Sequence, residues 1–234
     1  MMQQKQEGSP PQTADENTYL QSSLMVDSGH SAVIGFALHA VEGITGEREK
    51  AVALYYAVRD EIRYDPYHVD VSVEGLKASA CLEKGFGFCV TKAALLAAAG
   101  RAVGIPSRLG FADVRNHLSS ERLRQMMGTN LFVYHGYTEF LLDGRWVKAT
   151  PAFNLALCEK AGIQPLEFDG HTDSIFHPLD NAGRQHMEYV RERGSFADIP
   201  RDELIDEWRK VYRDIDKLFQ NVPTDVSFED EARA

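Results

Sequence analysis

The chain has 234 residues, 44% of them hydrophobic and 26% charged, proportions that can bury a core and exclude wholesale disorder. Thirty-five Asp and Glu against twenty-five Lys and Arg leave a net charge of −10, which repels phosphate backbones and anionic lipid and argues against nucleic acid as a partner. The longest apolar run, around Ala93 to Ala99, falls short of the ~20 residues that cross a bilayer, so no membrane association is expected. Three cysteines, Cys81, Cys89 and Cys158, form no even framework and no C-x-x-C pair, which fits free thiols in a reducing, cytoplasmic compartment.

In chain order, residues 1–18 are polar, without the apolar segment of a secretory signal, and read as a flexible leader. Ser31 to Val41 reads as a short helix. From Glu47 to Arg63, Ala51, Tyr55, Val58 and Ile62 recur at helical spacing and line one face. Tyr64-Asp65-Pro66 ends that helix, because a residue before proline is pushed out of the helical region. Leu76 to Glu83 suggests a third helix. In the next segment Gly85 and Gly87 precede a run of strong helix formers, and Gly104-Ile105-Pro106 closes it. Cys89 therefore falls at a helix N-terminus, and the Ala-rich helix behind it suits a central, buried position.

Ser107 to Ala112 reads as a strand, and Asp113 to Gly128 as a polar, partly helical connection. Leu131 to Leu142 and Arg145 to Thr150 are extended runs joined by Asp143-Gly144, a strong two-residue hairpin signal. Asn154 to His186 reads as loops with one or two short strands. Leu204, Ile205, Trp208, Val211, Tyr212, Ile215, Leu218 and Phe219 then form the stripe of an amphipathic helix. The expected division is a domain over 19–194, followed by this helix and a tail over 195–234.

A thiol at a helix N-terminus faces unpaired N–H groups and the positive end of the dipole, which favour thiolate. Cys89 is thus the candidate nucleophile, and small residues at 85 and 87 are expected to leave room for substrate beside it. The hairpin supplies an imidazole. A turn at Asp143-Gly144 sets Glu139 opposite Lys148, Tyr137 opposite Thr150 and His135 opposite Ala152. His135 and Thr150 become diagonal neighbours on one face, with Glu139 and Lys148 as a surface cross-strand pair.

Those residues carry a resemblance. Gly85-Phe-Gly-Phe-Cys89-Val-Thr-Lys-Ala-Ala-Leu-Leu, running on to Gly104-Ile-Pro-Ser-Arg, resembles the nucleophile block of the transglutaminase-like superfamily. His135-Gly-Tyr-Thr-Glu139-Phe-Leu-Leu-Asp-Gly-Arg-Trp146-Val-Lys-Ala-Thr150-Pro is similar to its histidine block, and Ile62-Arg-Tyr64-Asp fits the preceding helix. The core motifs span 47–154. The resemblance implies a papain-like α+β fold, with helices packed on an antiparallel sheet and Cys89 and His135 as nucleophile and base. It also implies a peptide or amide substrate and no cofactor.

One position departs from the pattern. Thr150 stands where the family usually has Asp; its hydroxyl can orient an imidazole but carries no charge to stabilise imidazolium. Asn154 is the alternative orienter. The expected function is a cysteine-dependent amide hydrolase or acyltransferase working through a Cys89 thioester. The alternative is a catalytically degenerate binding module. A metal hydrolase built on Asp169, His171, Asp173 and His177 is disfavoured, since these residues lack H-E-x-x-H spacing and read as a polar loop with Asx turns, so no metal is expected.

Overall fold

Helices α1 (Ser31–Ala40) and α2 (Glu47–Glu61) come first in the computed structural model, which describes residues 16–117, 120–175, 183, 186–212 and 228–231. The stripe read from α2 is buried at all of its positions, Ala51, Tyr55, Val58 and Ile62. Strand β1 (Arg63–Tyr64) follows directly. The expected third helix is two, α3 (Val73–Leu76) and α4 (Ala78–Lys84), because Lys77 between them is extended at ψ 142°. Gly85, at φ 67°, stops α4 in the left-handed conformation. Strand β2 (Phe86–Gly87) pairs in parallel with β1.

Helix α5 (Cys89–Ala102) is the centre of the molecule, buried from Val90 to Arg101. Its small side chains let the sheet approach closely. Thr138 Oγ1 donates to the Ala93 carbonyl at 2.8 Å, and a Cβ added to Gly100 would lie 2.7 Å from a ring carbon of Phe140. Lys92, in the same helix, is fully buried and donates through Nζ to the carbonyls of Arg59 (3.0 Å) and Ile62 (2.5 Å) at the end of α2.

The sheet comprises β3 (Ser107–Asn116), β4 (Leu131–Leu142), β5 (Arg145–Ala149) and β6 (Met187–Phe196), antiparallel in the order β5-β4-β3-β6. Helix α6 (Glu121–Met127), capped by the Ser120 hydroxyl, joins β3 to β4. The β4–β5 turn takes positive φ at Asp143 (50°) and Gly144 (74°), and Glu139 pairs with Lys148. This is the α+β architecture of helices on an antiparallel sheet.

Several readings are corrected. The hairpin pairing ends at Thr138↔Ala149. Beyond it Thr150 donates its N–H to Ser174 O at 2.8 Å, and Pro151, lacking an N–H, cannot resume the ladder. The segment read as loops after Asn154 contains α7 (Leu155–Ala161), followed by β6, which continues across positions 194 and 195. Of the C-terminal stripe, α8 (Arg201–Val211) is helical with Leu204 and Trp208 buried. Ile215, Leu218 and Phe219 lie outside the described residues, as does most of the 1–18 segment. Among the described residues no helix is long and apolar enough to cross a membrane.

Inside a helix Gly→Ala normally gains about 1 kcal/mol. Gly100→Ala should instead lower stability by about 1–3 kcal/mol, because the methyl meets the buried Phe140 ring and Ser107 Oγ. Urea unfolding of the two proteins measures the sign; a stabilised variant would refute the close α5–β4 packing.

Candidate active site

Cys89 is the first residue of α5, and its neighbour Phe88 fixes how the chain enters the helix. The Phe88 N–H donates to Thr91 Oγ1 at 3.1 Å, satisfying an end group of the helix from within the first turn. Gly87 does not open space for substrate, as its sequence position suggested. A Cβ there would stand 2.5 Å from Thr91 Oγ1 and 2.7 Å from Cys81 Sγ, so this glycine serves packing.

The half-buried Cys89 lines a cavity of about 50 Å³ together with Tyr64, Phe88, His135, Trp208 and Tyr212. That volume holds a few water molecules and is far below the ~300 Å³ at which ligand pockets begin. β4 reaches the cavity through a backbone irregularity: Tyr134 has φ 58°, and the β3–β4 register shifts between Ala112 and Val114. From the other side α8 closes over it. Trp208 Nε1 donates to Val133 O at 2.9 Å, and the Tyr212 hydroxyl accepts the Val133 N–H at 2.7 Å. The residues that the sequence did not single out are therefore aromatic: Tyr64, Trp208 and Tyr212. Their positions, on a helical stripe for Trp208 and Tyr212 and just past a helix for Tyr64, gave only a core signal.

Burial governs the electrostatics. Burial pushes the Cys89 thiol up to about 11, although the backbone N–H groups of Gly136, Val90 and Cys89 itself pull the other way. Burial also lowers the His135 imidazole to about 4. Neither His135 ring nitrogen has a hydrogen-bond partner among the described residues. The resting site thus holds a neutral thiol and a neutral imidazole, and burial opposes moving the proton from one to the other. Cys81 and Cys158 are raised by burial too, to about 11 and about 12, and both are more buried than Cys89.

The two candidate orienters lie elsewhere. Thr150 Oγ1 donates to the Ile175 carbonyl at 3.1 Å, since the strand has switched partners at that point. Asn154 accepts the Tyr64 N–H at 3.0 Å, and its Nδ2 reaches Glu229 at 3.4 Å. Neither bonds to the His135 ring. Glu139 and Lys148, though opposite each other, turn to other partners: Glu139 to Arg108 and to Ser195 Oγ (2.9 Å), Lys148 to Glu192 at 2.8 Å. Among the described residues no cluster of His, Cys, Asp or Glu suits a metal ion. Asp169 accepts the N–H groups of His171 and Thr172, each at 2.7 Å, while His177 lies outside the described residues.

Residues 35–151, half of the chain, match the family model of the transglutaminase-like superfamily. Among solved structures, a candidate cysteine protease from Cytophaga hutchinsonii is similar at 15% identity and a TM-score of 0.46, over 80% of this chain and 57% of that one. A candidate protease from Parabacteroides distasonis is similar at 17% identity and a TM-score of 0.39, over 60% of this chain and 27% of that one. The chain therefore spans well under two thirds of the length of these proteins. No curated protein matches it.

An imidazole that ionises near pH 4 when folded and near 6.5 when unfolded binds its proton first in the unfolded chain. The stability gained by keeping the ring neutral is complete above pH 6.5 and is lost as the pH falls toward 4, by roughly 3 kcal/mol. Urea unfolding at pH 7.5 and 4.5 should show a larger acid loss for the parent than for His135→Gln. Equal losses would place the ring in water.

Proposed function

The chain belongs to the transglutaminase-like superfamily, and from that premise we propose that it is a cysteine-dependent amide hydrolase or acyltransferase acting on peptide or amide substrates. The observation that carries this reading is the shared cavity, where the first residue of a buried helix, Cys89, meets the wall that holds His135.

In the proposed reaction His135 accepts the Cys89 proton, and the sulfur adds to the substrate carbonyl carbon. The C–N bond then breaks as the imidazolium returns its proton to the departing amine, leaving a thioester. Water or an acceptor amine attacks that thioester, passes a proton to His135, and breaks the C–S bond; the imidazolium reprotonates the sulfur. The N–H groups of Cys89, Val90 and Gly136 around the sulfur are suited to stabilise charge developing on the carbonyl oxygen. The reaction requires water or substrate to enter the cavity first, because hydration lowers the thiol and raises the imidazole toward their ordinary values of about 8.5 and 6.5. Thr150 takes no part in this scheme, its hydroxyl being held by Ile175 O; Cys89 and His135 work as a pair.

That loss of a third member and the small cavity favour one second reading, a binding module that has kept the fold without the chemistry. Intact-mass spectrometry after acid quench separates the two. With a mixture of peptide amides, the parent should gain an acyl mass on Cys89, Cys89→Ser should gain none, and His135→Ala should acylate about 10²-fold more slowly or worse. Peptide binding without any adduct would establish the second reading, and adducts on Cys81 or Cys158 would overturn the assignment of the nucleophile.

A further inference from the structure

The last described helical turn, Phe228–Glu231, packs on the wall that bounds the cavity. Tyr64 is the shared residue: it lines the cavity beside Cys89 and meets the Phe228 ring edge-on at 5.6 Å. Tyr67 meets the same ring at 5.4 Å, so Phe228 lies between two tyrosines. The acids that follow find donors of matching chemistry. Glu231 accepts from the Tyr67 hydroxyl at 2.5 Å and from Arg122 at 2.8 Å, and Arg122 in turn lies over the Tyr67 ring at 5.0 Å. Glu229 pairs with Lys160 at 3.1 Å and accepts from Asn154 Nδ2 at 3.4 Å; Asp230 reaches Lys160 at 3.4 Å.

A single helical turn has no stability of its own. The position of Phe228–Glu231 is therefore set by the wall, and each residue of Phe-Glu-Asp-Glu engages it. We propose that Tyr64, Tyr67, Arg122, Asn154 and Lys160 form a recognition subsite for an aromatic residue followed by carboxylates, which the chain's own Phe228–Glu231 fills as an autoinhibitory cover over the Cys89 cavity.

The balance of forces fits an exchangeable cover. Exposed ion pairs such as those of Lys160 contribute little each and weaken with salt. Two edge-on aromatic contacts add a modest gain. A tethered segment needs no more, since its effective concentration is on the order of millimolar. A free peptide or protein segment of the same chemistry competes for the same wall, and its arrival lifts the cover and admits water to the thiol. A thiol raised and an imidazole lowered by burial are consistent with such a closed state. The covering role rests on Cys89 being the nucleophile; the subsite itself does not.

The experiment uses the full-length chain with Phe228→Ala and Glu231→Gln combined; both side chains are partly exposed, Phe228 packing on the core from its edge, and urea unfolding checks that the variant stays folded. Iodoacetamide labelling of Cys89 at pH 7.5, followed by peptide mapping, should accelerate about threefold or more over the parent, as expected when a local closed state is destabilised. A fluorescent peptide of the sequence Ser-Phe-Glu-Asp-Glu-Ala-Arg-Ala should bind the double variant on a Cys89→Ser background, weaken with added NaCl, and lose binding when its Phe is replaced by Ala. Binding with an unchanged labelling rate would overturn the cover while keeping the subsite. No binding at millimolar peptide would overturn the subsite. Because the binding arm needs no reactive thiol, its failure is distinguishable from a failure of the acyl-transfer reading.

Discussion

Lys92 lies at the end of the first turn of α5 with no exposure to solvent, and its ammonium must be satisfied there or the helix cannot be buried. Two carbonyls at the end of α2, those of Arg59 and Ile62, supply that satisfaction. A helix C-terminus is where a cation is best received, because its last carbonyls lack partners and carry the negative end of the dipole. Burial nonetheless lowers Lys92 to about 7, so the contact fixes geometry at a cost in charge desolvation. It locks the end of α2 to the first turns of α5. Directly after it β1 pairs with β2 through Arg63 N–H to Gly85 O (3.0 Å) and Asp65 N–H to Gly87 O (2.9 Å), and Tyr64 and Cys89 line the same cavity.

The electrostatics of the site follow from how far that arrangement buries its polar groups. A helix N-terminus alone favours thiolate, yet here desolvation outweighs the N–H groups around the sulfur. The same burial keeps His135 neutral. Both groups are thereby held in their uncharged forms. Under the proposed function, substrate must enter past the aromatic residues that line the cavity, Tyr64, Trp208 and Tyr212.

Much of the frame was legible in the residues because its signals are local. The α2 stripe, the small-residue run of α5 and the Asp143-Gly144 turn each dictate their element and, for the hairpin, its register. What was not legible depended on partners distant in sequence. Strand β6 is largely exposed and polar, so no alternation marked it, and only its pairing with β3 makes it a strand. Thr150 looked like a diagonal neighbour of His135 because the ladder was extended past Pro151, whereas the chain turns to Ser174 instead. Nothing local marks Lys92 as a packing residue, and it is buried because α2 ends beside it.

The central claim is that Cys89 and His135 act as a couple once the cavity opens. A crystal structure of the full-length protein carrying a peptidyl aldehyde on its nucleophile tests this most directly. The account predicts a hemithioacetal on Cys89 Sγ, a His135 ring nitrogen within about 3.2 Å of the adduct, and the Phe228–Glu231 turn displaced from Tyr64 and Tyr67. An adduct on Cys89 with His135 still buried and bonded to nothing, or with another imidazole in its place, would contradict it.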